Sequence, residues 1–125
     1  MRNIALLEAT LAKIQDHPEL HDQSLVFQRN ECGTAACFMG WACMLAGYTP
    51  VLTGSFFGPH TTGSVVADAR GRRHIALLTA YDLLGLTTDE GAKLAAPYNT
   101  VRQLELMVKA LVNGEELGHP DEYKD

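Results

Sequence analysis

Three cysteines, five histidines and a scatter of carboxylates supply the side chains that could do chemistry in this chain. Cys32 stands out because Cys32-Gly33 opens a long uncharged run. A cysteine at the start of a helix sits at the positive end of the helix dipole, which favours the thiolate. As a nucleophile Cys32 would need a base, His60 or His74, and a carboxylate to orient it, Asp68 or Asp82. The set that best meets these needs is Cys32, His74 and Asp68. Against it, His74 falls at the start of an expected helix, and the chain shows little strand on which a catalytic histidine could be presented. The simpler reading is that Cys32 and Cys37 pack as small hydrophobes, since free cysteine is among the most buried residue types. That reading outweighs the catalytic one.

Metal chemistry has a thinner basis. Cys32, Cys37, His60 and His74 could supply four ligands, but the close pairs typical of zinc sites are only partly present. No metal site and no cofactor is therefore expected. A Cys32–Cys37 redox pair lacks the C-x-x-C spacing and would need a bent first turn to bring the two Cα atoms together. Arg70, Arg72 and Arg73 form a local basic cluster that could meet a phosphate or an acidic partner, or could simply be a solvated tip.

The element that must position these groups is residues 32–47, which holds all three cysteines and the only tryptophan and carries no charge. Thr34 suits an N-cap and Gly47 a closing position. A run that is apolar on every face predicts a buried helix. It breaks at Gly47 and Thr49-Pro50, short of the length that spans a membrane. Gly40 costs about 1 kcal/mol relative to alanine in a helix interior, which implies that it makes room for a crossing helix or a bound group. Trp41 is a large apolar anchor whose N–H needs a partner if buried.

Length allows one domain with one core. A net charge of -5 argues against general nucleic-acid binding and against an anionic membrane surface. Arg2 is followed by an amphipathic pattern with Glu8 and not by an apolar core, so no secretory leader is expected. Reduced thiols in a cytoplasm follow from that expectation.

Along the chain, Ile4, Leu7, Leu11 and Ile14 predict an amphipathic helix capped by Asn3 and ended by His17-Pro18. Residues 24–28 suggest a short extended segment. From Thr49 to Arg73 the sequence mixes β-formers with breakers and predicts a short β-hairpin or an ordered loop. His74 to Leu84 predicts a helix closed by Gly85. Thr87 with Glu90, and Thr100 with Gln103, fit capping boxes that open two more helices. Gly114 stops the last one, and residues 115–125 form a polar tail. The expected fold is mainly α: a single compact domain over residues 1–114, with four to five helices around the buried central helix.

The stretch Cys32-Gly33-Thr34-Ala35-Ala36-Cys37-Phe38-Met39-Gly40-Trp41-Ala42 resembles a C-G-T-x-x-C-x-x-G-W-A motif of short uncharacterised proteins from actinobacteria and their bacteriophages. Leu83-Leu84-Gly85-Leu86-Thr87-Thr88-Asp89-Glu90 is similar to a second stretch in such proteins, although Ala95 departs from the Leu-Phe pair that often follows. The resemblance implies a phage-type cytoplasmic protein and brings no activity with it. The expected function is a small non-catalytic accessory protein that binds a host protein. Phe56 and Phe57 in the loop, the three arginines and Trp41 are its candidate contact residues. A Cys32-dependent hydrolase or transferase and a metal-stabilised module remain the alternatives.

Overall fold

The computed structural model describes residues 2–30, 33–54 and 61–123. Among these residues five α-helices and five strands follow in the order α1 (Ile4–Asp16), β1 (Phe27–Asn30), β2 (Gly33–Ala36), α2 (Phe38–Leu45), β3 (Thr49–Gly54), β4 (Thr61–Ala67), β5 (Arg73–Ile75), α3 (Ala76–Leu84), α4 (Thr88–Leu94) and α5 (Val101–Val112). The fold is therefore α+β, which corrects the mainly α bundle read from the sequence. The strands form one curled antiparallel sheet, half of a barrel, in place of a single short hairpin.

Two local decisions account for the difference. The central stretch does not run as one helix from Thr34. Residues 33–36 pair with β1 in the register Phe27↔Ala36 to Asn30↔Gly33, and the helix starts only at Phe38, with Cys37 as its N-cap. Ala35 and Ala36 favour helix intrinsically, so pairing with the available partner strand overrides the local preference. Between Thr49 and Ile75 the chain then forms three consecutive strands joined by antiparallel ladders.

The helices pack with the sheet around one core. Leu7 and Ile14 of α1, Phe38 of α2, Leu84 of α3, and Leu104 and Met107 of α5 are fully buried in one core, together with Phe27 of β1 and Val66 of β4. Both capping boxes are present, at Thr87/Glu90 and Thr100/Gln103. Beyond Gly114 the chain returns to the core: Leu117 and Pro120 are buried, and the Gln103 side chain donates to the Pro120 carbonyl over 3.0 Å.

The sheet is split along one edge of β4. Residues 61–63 of that edge pair with β1, in the register Phe27↔Gly63 to Arg29↔Thr61. Residues 65–67 pair with β5, in the register Val65↔Ile75 to Ala67↔Arg73. Ser64 lies between the two ladders and has no registered partner in either. On the other edge the pairing slips between Val51↔Val65 and Thr53↔Thr62, so Gly63 and Ser64 together face Leu52 in a β-bulge. A Cβ at position 63 would collide with the Val51 carbonyl oxygen, so only glycine lets β3 approach this closely.

The split has a cause upstream in the chain. If β1 began earlier, residues 24–26 would lie where β5 now lies. Instead the Leu25 carbonyl accepts the Cys37 N–H over 2.9 Å, and the Val26 carbonyl packs onto Gly40. A Cβ at position 40 would collide with that carbonyl oxygen and stand 2.9 Å from the Ala36 Cβ. Gly40 thus makes room for the backbone of a strand approach, not for a crossing helix or a ligand. With residues 25 and 26 drawn toward α2, the edge of β4 is left open for β5.

Candidate functional site

A cleft of about 720 Å³ opens where β1 and β5 part. Residues 24–27 form one wall, residues 73–75 the other, and residues 62–65 of β4 the floor, with Val51 of β3 beside them. The volume lies within the range of small-ligand and peptide sites. Its surface is mainly apolar, with the hydroxyl residues Ser24, Thr62 and Ser64 among its lining. Ile75, which is 58% exposed, stands on its rim. A shallower dent lies beyond Ile75 and His74, lined also by Tyr48, Asp82 and Leu78, which is 56% exposed. Two large apolar side chains in adjacent depressions make this the part of the described surface best suited to contact.

The β4–β5 turn supports one wall. Asp68 organises it: Oδ1 accepts the backbone N–H of Arg70 at 2.9 Å and of Arg72 at 3.0 Å, and Oδ2 lies 2.9 Å from Nε2 of His74. An aspartate bonding backbone two and four residues on is a strong turn former. The His74 hydrogen bond, followed by the two backbone N–H groups, holds the Asp68 carboxyl below the ordinary aspartate value of 3.8. Tyr48 meets the other side of the His74 ring edge-on, with centroids 6.0 Å apart. The turn leaves Arg70, Arg72 and Arg73 exposed.

His74 and Asp68 were expected as base and orienter, and the fold does bring them together, with His74 on a strand and not at a helix start. Cys32, the nucleophile of that set, lies outside the described residues, as do Phe56, Phe57 and His60. The two described cysteines are poor nucleophiles. Cys37 is at the start of α2, where the N–H groups of Gly40 and Met39 favour the thiolate, but burial outweighs them and pushes the thiol up. Burial of Cys43, helped by the nearby Cys37, pushes its thiol up to about 12. Among the described residues no three His, Cys, Asp or Glu side chains are grouped so as to hold a metal ion. Among them, too, no helix is long and apolar enough to cross a membrane.

Trp41 is a core residue. It is 8% exposed, its Nε1–H donates to the Leu20 carbonyl over 2.9 Å, and the Lys13 ammonium lies 5.1 Å from its ring centre. Of the candidate contact residues that are described, only Arg73 lines the cleft, with Arg70 and Arg72 in the turn that leads to it. The cleft itself was not visible in the sequence, since it depends on which strand takes which half of the β4 edge. The one available signal was Ser64-Val65-Val66 between breakers, which marked a strand without its neighbours. No protein-family model matches the chain, and no curated protein or solved structure matches it significantly.

Proposed function

We propose that this chain is a non-catalytic interaction protein, of the phage-type accessory kind that its cysteine motif resembles, and that it binds a host protein through the β1/β5 cleft. The reading places it in the host cytoplasm. The observation that carries it is the juxtaposition of exposed Ile75 and Leu78 with an open, mainly apolar cleft beside a fixed turn. Burial supports it further, because it pushes the Cys37 and Cys43 thiols up and leaves both described cysteines poor nucleophiles. The test is capture from host lysate by the wild-type chain and by an Ile75→Glu, Leu78→Glu double variant. Both positions are exposed, so the variant should unfold at the wild-type temperature. A protein captured by the wild type, lost by the variant and rebound after purification supports the reading. Equal capture by both removes the cleft from it, and no capture by either removes the interaction class.

A second reading is favoured by one specific contact, the 2.9 Å bond between His74 and Asp68. That pair supplies an oriented base, with Nδ1 left to take a proton. In this reading Cys32 is the nucleophile of a hydrolase or transferase. Cys32→Ser would then abolish activity without lowering stability, whereas in the interaction reading the change leaves partner capture intact.

A further inference from the structure

We infer that the occupant of the cleft is an extended stretch of the partner in which apolar side chains alternate with acidic ones. The inference rests on the proposed binding function and specifies its ligand. The floor is a strand segment, and Ser64 at its centre has no registered neighbour on any side. An extended segment entering between residues 24–27 and β5 crosses this floor and sends every second side chain into the cleft. Those side chains meet Leu25, Val26, Val51, Val65 and Ile75, and so are apolar.

The charge of the others follows from the arginines. Three of the ten basic residues of the chain stand within positions 70–73, although the net charge is -5. Arg2, Lys93 and Arg102 each pair with a glutamate or aspartate. Among the described residues, Arg70, Arg72 and Arg73 pair with none. Asp68, the carboxylate nearest in sequence, is already bound to two backbone N–H groups and to His74. Three guanidiniums without a carboxylate partner, one lining the cleft and two in the turn that leads to it, are complementary to carboxylates and repel cations.

The test uses a fluorescent peptide alternating valine and glutamate, titrated to about 1 mM against the full chain. Comparison ligands are the same peptide with lysine for glutamate, the same peptide with a central proline, and a thymidine oligonucleotide. The glutamate peptide should bind at least about tenfold more tightly than either altered peptide, and weaken with added salt. An Arg72→Glu, Arg73→Glu variant should lose about tenfold for that peptide and reverse the preference between glutamate and lysine. Equal binding of the lysine or proline peptide, tighter binding of the oligonucleotide, or no binding at all overturns the inference. If any of these occurs while the Ile75, Leu78 double variant still loses a captured partner, only the ligand class is wrong. If that capture is also unaffected, the cleft reading fails with it.

Discussion

Asp68 and His74 are joined across the β4–β5 turn by a 2.9 Å contact, and the same carboxylate holds the amides of Arg70 and Arg72. One ionised group therefore fixes the conformation that carries the arginines. Its pKa is below the ordinary 3.8, so the folded turn favours the charged form. The stabilisation is complete above the unfolded aspartate value and is lost as pH falls through the folded one. The amide signals of Arg70 and Arg72 should shift as pH falls below the ordinary aspartate range and the carboxylate they donate to is protonated. In Asp68→Asn they should already differ at neutral pH and lack that titration. An Asp68 carboxyl that titrates at or above 3.8 in an NMR experiment would contradict this.

Gly40 is a packing requirement of the sheet as much as of its own helix. Gly40→Ala improves helix propensity by about 1 kcal/mol. It also drives a methyl into the Val26 carbonyl, a backbone atom tied to the strand approach. Overpacking against backbone should prevail, with a net loss of at least about 2 kcal/mol in denaturant unfolding. A stability gain would mean that the 25–26 segment can be moved at little cost.

Gln23 ties three parts of the fold together and was passed over in the sequence. Its Nε2 donates to the Leu94 and Ala96 carbonyls, and its Oε1 accepts the Phe38 N–H and lies 2.8 Å from His21 Nε2. The residue is 8% exposed. Gln23→Ala leaves the buried Phe38 N–H without its acceptor, while the Leu94 and Ala96 carbonyls keep donors from Asn99, and should cost about 2 kcal/mol. Thermal unfolding with an unchanged midpoint would show that water replaces the amide.

Thiol reactivity separates the two functional readings. Cys37 and Cys43 should resist alkylation at neutral pH in the native protein and react only on unfolding, given burial and the rise of Cys43 to about 12. Mass spectrometry of each cysteine after timed iodoacetamide exposure reads this directly. Fast native labelling of either would contradict their packing role. Rapid labelling at Cys32 alone, with an apparent pKa below about 7, would favour the nucleophile reading.

The helical parts of the fold were legible because their signals are local. Asn3, Thr87 and Thr100 cap where their side chains can reach a free N–H, and Gly85 closes α3 in the left-handed conformation. The sheet was not legible because its signals are pairwise. Thr34-Ala35-Ala36 reads as the first turn of the apolar helix, and only pairing with β1 turns it into a strand. His74 and Ile75 read as the start of the following helix for the same reason, since their ladder partners lie in β4. Asp68 and His74 could be named as a pair because both are polar residues flanking one turn. That they stand beside a cleft depends on β1, which lies far away in the chain.

The shared edge of β4 also orders the events by which the molecule assembles. Val65 reaches Ile75 across one turn, and β3 is the next strand back, so β3, β4 and β5 can form as a local meander. Phe27 must find Gly63 across the whole of β2, α2 and β3, a loop whose closure is entropically slower. Docking of β1 is therefore the expected late step, and it is this step that creates the second wall. A chain leaving the ribosome therefore has no cleft until its β5 has emerged and β1 has docked.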